Sequence, residues 1–65
     1  MADKHIGRTL RTLRKARGKT QADLAAKAGI HRITLLQIEL GRSKPDFDTL
    51  ERLAKALGTP MSRLV

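Results

Sequence analysis

The side chains that could carry out covalent chemistry are few in this sequence, and they form no catalytic set. Cysteine is absent, the serines are Ser43 and Ser62, and the histidines are His5 and His31. Neither serine has a plausible general base with an orienting acid, no paired carboxylates converge, and no glycine-rich phosphate loop is present. Two histidines without an acidic or thiol cluster do not make a metal site. The residues therefore predict no enzymatic activity, no metal and no cofactor.

The composition instead favours ionic interactions, because basic residues outnumber acidic ones. Fourteen Lys and Arg stand against six Asp and Glu, which gives a net charge of +8. Residues 1–19 carry seven basic side chains and one acidic one, whereas residues 46–65 carry three of each. Charge this unevenly distributed favours a nucleic-acid partner over a merely solubilising surface. Phe47 is the only aromatic residue, which argues against single strands bound by base stacking.

Length and hydropathy narrow the class of protein further. Sixty-five residues are close to the lower limit for independent folding, so we expect one domain over residues 1–65. No apolar run approaches the ~18 residues that a membrane span needs, and the start "MADKHIGR" lacks the pattern of a signal peptide. We therefore expect a soluble, cytoplasmic protein without a membrane partner. We also expect no small-molecule ligand, because these residues contain no sensor domain.

Glycines divide the chain into segments with helical periodicity. Four of the five glycines follow such a segment and are expected to end helices: Gly18, Gly29, Gly41 and Gly58. In the first segment Ile6, Leu10 and Leu13 form one apolar stripe, which leaves Arg8, Arg11 and Lys15 exposed. No segment alternates apolar and polar residues as a strand would. The pattern predicts an all-α fold of five short helices.

Capping residues indicate where these helices begin. The stretch "TQAD" from Thr20 is a near match to a capping box, and Asp46 is the expected N-cap of helix four. Thr59 followed by Pro60 predicts the start of a short fifth helix. The expected core faces are Leu24, Ala25 and Ala28 in helix two, and Phe47, Leu50, Leu53, Ala54 and Leu57 in helix four.

The third segment, "GIHRITLLQIELG" from Gly29 to Gly41, is apolar almost all the way round. On a helical wheel Thr34, Leu35 and Ile38 fall on one side, which we expect to face the core. The opposite side holds Arg32, Ile33, Leu36, Gln37 and Leu40. A helix with two apolar faces is normally buried on both, so the second face needs a partner.

A helix of about eight residues, a turn at Gly29 and a second short helix is the pattern of a helix-turn-helix. The stretches "TQADLA", "GI", "IE" before Gly41, "GRSKP" and "LERLAKALG" resemble the Cro/repressor-type (XRE-like) helix-turn-helix domain. With "LRTLRKARG" in front, the resemblance covers nearly the whole chain. It implies a compact five-helix, lambda-repressor-like domain that binds double-stranded DNA as a dimer, with helix three in the major groove.

Under this resemblance the outward residues of helix three read base edges. Arg32 would pair with guanine O6 and N7, and Gln37 with adenine N6 and N7. Ile33 and Leu36 would contact the thymine methyl group. The alternative for these two apolar residues is a hydrophobic patch for a protein partner. Leu40 suits either interpretation.

Contacts with DNA phosphates are expected around helix three. Gln21 matches a family position that anchors the DNA backbone, where a helix N-terminus attracts anions. Histidine is a poor cap, so the His31 ring could instead reach a phosphate. The other expected contacts are Lys19, Thr20, Arg42 and Lys44.

Two further sets of residues have structural roles in the family. Arg14 and Glu39 occupy positions that often form a partly buried ion pair between helices one and three. Met61, Arg63 and Val65 are expected at the interface of a homodimer, the alternative being a monomer.

The sequence thus predicts a small DNA-binding transcriptional regulator, most simply a repressor on a palindromic operator. A toxin or the transcription machinery is a candidate protein partner. The rival hypothesis is a protein-interaction adaptor that uses the apolar outer face of helix three.

Overall fold

The computed structural model describes residues 4–65 as helices joined by tight turns. The helices are α1 (Lys4–Ala16), α2 (Gln21–Ala28), α3 (Arg32–Glu39) and α4 (Phe47–Leu57), followed by a 3-10 helix (Met61–Arg63). No strand occurs within these residues, so the all-α prediction is confirmed. In the same range no helix is long and apolar enough to cross a membrane.

The fifth predicted helix is a single 3-10 turn, and its predicted start is wrong. Pro60 is extended, with ψ at 149°, and the turn begins at Met61 without a side-chain cap. The reason lies in Thr59, whose N–H donates to the Ala54 carbonyl at 3.0 Å and so belongs to the end of α4. The turn is held instead by Leu64, which is fully buried.

The predicted caps of the second and fourth helices are confirmed. The Asp23 N–H donates to the Thr20 hydroxyl at 3.0 Å, and the Thr20 N–H donates to the Asp23 carboxylate at 3.1 Å. This reciprocal pair is a complete capping box. At α4 the Thr49 N–H donates to the Asp46 carboxylate at 2.8 Å.

The turn between α2 and α3 depends on Gly29, which has a positive φ of 74°. A side chain at this position would be strained in the left-handed region. The next residue, Ile30, donates its N–H to the Ala25 carbonyl at 3.0 Å and packs against the core. Ala25 is buried, so the two helices approach closely at this corner.

One apolar core joins the elements. Its fully buried side chains come from every helix and from the C-terminal turn: Leu10, Leu24, Leu35, Ile38, Leu53 and Leu64. α2 packs on α4 and α3, and α1 packs on α3. α3 is therefore held from one side only, by Leu35 and Ile38.

Two residues predicted to lie in the core are exposed. Thr34 lies beyond the edge of the narrow stripe that Leu35 and Ile38 form on α3. Phe47 is 71% exposed because it is the first residue of α4. Helical side chains lean toward the N-terminus, so this ring projects past the first buried residue of the helix, Leu50.

The fifth glycine brings α1 against the end of α3. A Cβ built on Gly7 would overlap the Ile38 carbonyl oxygen and lie 2.8 Å from that of Glu39. No flexible side chain is there to move aside, since both contacts are backbone atoms. Gly7 therefore sets how closely α1 and α3 approach.

Candidate nucleic-acid interface

The outer side of α3 is a free surface in the described chain, but it is not equally open along its length. Arg32 and Ile33, in the first turn, are exposed, and Ile33 retains 55% of its accessible area. Leu36 and Gln37, one turn further on, are half-buried. The predicted base-reading residues thus lie together on one side of α3, with the first two the most accessible.

The amino end of α3 carries no side-chain cap. His31 is the N-cap residue, and its ring makes no capping hydrogen bond. The first N–H groups of a helix have no partner within the helix, and together with the helix dipole they attract anions. His31 is exposed beside them. This end of α3 therefore presents hydrogen-bond donors to an anion, and no capping carboxylate or hydroxyl occupies them.

A buried ionic network fixes the other end of α3. Arg14 donates from Nε and Nη2 to the two carboxylate oxygens of Glu39, at 2.8 and 3.0 Å. The two side chains are only 9% and 2% exposed. Arg14 also donates from Nη1 to the Lys19 carbonyl at 2.9 Å. The hydrogen bond with Glu39 raises the pKa of Arg14 above its ordinary value, so the guanidinium stays protonated.

Gln21 is part of this network. Its amide Nε2 donates to Glu39 at 3.1 Å, so α1, α2 and α3 meet at one carboxylate. One amide N–H of Gln21 is therefore used inside the protein, and the second is what it can offer a phosphate. The sequence resemblance pointed to Gln21 as a backbone anchor but gave no signal for this contact.

The remaining predicted phosphate contacts flank α3 on two sides. Arg42 and Lys44 are exposed in the loop after α3. That loop is folded back on the helix, because the Arg42 and Ser43 N–H groups donate to the Gln37 carbonyl at 2.9 and 3.3 Å. On the other side, Lys19 is half-buried and Thr20 is exposed. The Thr20 hydroxyl accepts from Asp23 but keeps its own proton to donate.

Arg8 and Arg11 are two surface cations that sequence reasoning left out of the site. Arg11 lines a cleft together with Gln21, Leu36 and Leu40. Arg8 and Arg11 line a second cleft beside Glu39 and Leu40. Both arginines thus extend the basic surface from α1 onto the edge of α3. The signal that could have found them is Gly7, whose missing side chain lets these helices touch.

The residues expected at a dimer interface lie apart from this surface. Met61 is half-buried against the core, and Arg63 and Val65 are exposed at the C-terminal turn. None of the three lines the clefts beside α3.

A short helix held from one side, crossed by a second helix at a glycine turn and flanked by cations, defines a helix-turn-helix DNA-binding domain. Comparison with known sequences agrees: residues 10–64 match the model of the helix-turn-helix family HTH_3. The chain belongs to this family.

Two relatives and one solved structure show the extent of the similarity. The chain is 42% identical over 60 residues to the immunity repressor protein of Bacillus phage phi105, covering 92% of this chain and 42% of the repressor. It is 44% identical over 49 residues to an uncharacterized HTH-type transcriptional regulator of Methanothermobacter thermautotrophicus, covering 75% of this chain and 71% of that protein. The crystal structure of the restriction-modification controller protein C.AhdI from Aeromonas hydrophila superposes with a TM-score of 0.94 at 30% identity. It covers 97% of this chain and 96% of that one.

Proposed function

We propose that this chain is a sequence-specific DNA-binding transcriptional regulator that inserts α3 into the major groove of duplex DNA. The observation that carries the proposal is the accessibility of α3, whose first turn is exposed while Leu35 and Ile38 are buried on the other side. The B-DNA major groove admits an α-helix, and recognition helices contact base edges through their amino-terminal residues. The most accessible residues of α3 lie where such contacts occur.

Base readout is divided between hydrogen bonds and apolar contacts. Arg32 pairs with guanine, and Gln37 with adenine, through bidentate hydrogen bonds. Ile33 contacts a thymine methyl group, and Leu36 contributes to the same surface from its half-buried position. Ile33 has 55% of its area open to water. Contact with a methyl group would remove apolar surface from water, which favours binding.

Phosphate contacts orient the domain on the duplex. Arg42 and Lys44 bind the backbone on one side of α3, and Lys19, Thr20 and Gln21 bind it on the other. His31 approaches a phosphate at the uncapped start of α3. Such contacts set the register without reading sequence.

The simplest regulatory action is repression. The phage phi105 relative is named an immunity repressor, and a small domain on an operator can block access to a promoter. One short helix reads few base pairs, so we propose a homodimer joined through Met61, Arg63 and Val65. Its two α3 helices would lie about 34 Å apart and read a palindrome. The chain would act on DNA in the cytoplasm.

Selection from a random duplex pool, followed by footprinting of the enriched sequence, tests the proposal. An enriched inverted repeat with protected half-sites one helical turn apart is the expected result. Enrichment of a single half-site would keep the function but overturn the dimer. No enrichment at low salt would overturn DNA reading and favour an adaptor that binds protein through Ile33 and Leu40, both of which are exposed.

A further inference from the structure

A second basic surface lies where α2 packs against α4, away from α3. Lys27 and Ala28 of α2 face Arg52, Lys55 and Ala56 of α4 across an open cleft. We call these five residues the α2–α4 cleft. None of them lines the clefts beside α3. Lys27 follows Gln21 by six residues, which places the two residues about 120° apart around the α2 axis.

The cleft has charged walls and a small apolar floor. Ala28 and Ala56 are each 5% exposed, so their methyl groups close the bottom without filling the space between the helices. Arg52 lies over the end of α2, since a Cβ built on Gly29 would come within 3.4 Å of its Nη1. Lys27 and Lys55 are exposed on either side.

The charges of the cleft are only partly neutralised. Arg52 pairs with Asp48 through Nε at 3.0 Å. Within the described residues neither Lys27 nor Lys55 forms an ion pair. Arg52 also interacts electrostatically with Asp46. Three cations against two carboxylates leave a small excess of positive charge around the apolar floor.

We propose that the α2–α4 cleft is a docking site for an acidic peptide segment of a partner protein, with an aliphatic residue between its carboxylates. Charge complementarity selects the acidic residues, and the alanine floor accepts the aliphatic side chain. A DNA backbone offers phosphates at regular spacing but no aliphatic group for such a floor. The proposal does not depend on DNA reading by α3, because it uses none of the same residues.

Titration with a fluorescein-labelled Asp-Glu-Leu-Glu-Asp peptide at low ionic strength tests the proposal by fluorescence anisotropy. Amide chemical shifts map the binding site at the same time. The expected result is saturable binding, with shifts concentrated at Lys27, Ala28, Arg52, Lys55 and Ala56. A peptide with Asn and Gln in place of the acids should not bind.

The double variant Lys27→Gln/Lys55→Gln should weaken peptide binding roughly 5- to 20-fold, as the loss of two exposed ion pairs predicts. Glutamine keeps the helix propensity of lysine, so unchanged circular dichroism would show that the fold is intact. The matched control is Lys15→Gln/Arg17→Gln, which removes two exposed cations at the end of α1. It should bind like the wild type.

Equal weakening by both double variants would overturn the proposal, because only overall charge would then matter. Absence of saturable binding would overturn it as well. So would shifts centred on α3, or shifts of the cleft residues by duplex DNA but not by the peptide.

Discussion

Glu39 is the residue at which three elements of this domain meet. Arg14 of α1 binds both of its carboxylate oxygens, and Gln21 at the start of α2 binds one of them. Because Glu39 is the last residue of α3, the network fixes that end of α3 against α1 and α2. Direct base contacts need such a support, since a side chain reads a base edge only from a fixed position.

Removing one partner of this network should cost stability. Arg14→Leu leaves the Glu39 carboxylate buried without its cation, and we expect the free energy of unfolding to fall by ~3–5 kcal/mol. Chemical denaturation measures the change. The double variant Arg14→Leu/Glu39→Leu should recover part of the loss, because no buried charge is then left unpaired. If the double variant lost as much as the sum of the two single variants, the ion pair would have no coupling energy.

At the scale of the element, α3 is held at its carboxyl end and open at its amino end. Ile38 and Glu39 lie where α1 comes closest, at Gly7. The amino end has an exposed, uncapped start at His31. The arrangement leaves Arg32 and Ile33 free to meet a ligand while the far end of the helix is fixed.

Gly7→Ala tests the close approach of α1 and α3. Alanine has a helix propensity better than that of glycine by ~1 kcal/mol, so at an open position this change would stabilise the protein. At Gly7 the new methyl group meets backbone oxygens of α3, and we expect a net loss of about 1–3 kcal/mol. Thermal unfolding should show a lower midpoint than in the control Thr12→Ala, an exposed position of the same helix. A midpoint raised by Gly7→Ala would contradict the close approach.

The capping carboxylates of α2 and α4 make the free energy of unfolding depend on pH. Hydrogen bonds from Thr20 and Thr49 hold the pKa values of Asp23 and Asp46 below the usual 3.8. The unfolded chain therefore binds more protons than the folded one in this range, and stability falls as the pH drops through these pKa values. Asparagine does not titrate but keeps an acceptor oxygen for the Thr20 N–H at position 23, and it caps as well as aspartate at position 46. The double variant Asp23→Asn/Asp46→Asn should thus lose less stability than the wild type between neutral and acidic pH. Parallel curves in pH-dependent denaturation would rule the caps out as the cause.

Local signals explain which features could be predicted from the sequence. Glycines with positive φ and capping side chains act within one turn, so the ends of α2 and α4 were predictable from a few letters. Exposure is harder to predict from the sequence. A helical wheel gives the direction of a side chain around the helix axis, but it does not show whether another element covers that side chain. Thr34 and Phe47 have suitable angles, yet no element lies over them. The positions of Arg8 and Arg11 beside α3 follow from how α1 packs on α3. A glycine inside the pattern of α1 indicates a close approach at Gly7 but does not say which element comes close.

At the scale of the whole molecule, charge is arranged on more than one side. Arg8 and Arg11 join the surface around α3, whereas Lys27 and Lys55 lie in the α2–α4 cleft. A net charge of +8 alone would attract any polyanion. The two surfaces differ in shape, since one projects a helix and the other forms a recess with an apolar floor.

The salt dependence of DNA affinity separates these surfaces. Neutralising about six phosphates should lower the affinity roughly 10³-fold between 50 and 200 mM salt. Arg11→Gln should reduce the slope of log K against log salt by ~0.9 for each phosphate that the arginine neutralises in the wild type. Lys27→Gln removes the same charge from the α2–α4 cleft and should leave the slope unchanged. Equal effects of the two variants would show that Arg11 has no special place at the interface.

The central claim is that the exposed side of α3 reads base sequence, and base-preference profiles from a random duplex pool test it most directly. The profiles of Arg32→Ala and Ile33→Ala should be compared with the wild type and with Lys15→Ala, an exposed position outside both surfaces. We predict that Arg32→Ala loses preference for guanine at one position of each half-site, worth ~1–3 kcal/mol. Ile33→Ala should lose preference for thymine at another position, and the remaining positions should keep theirs. Profiles that match the wild type at every position, or that weaken uniformly, would contradict the claim.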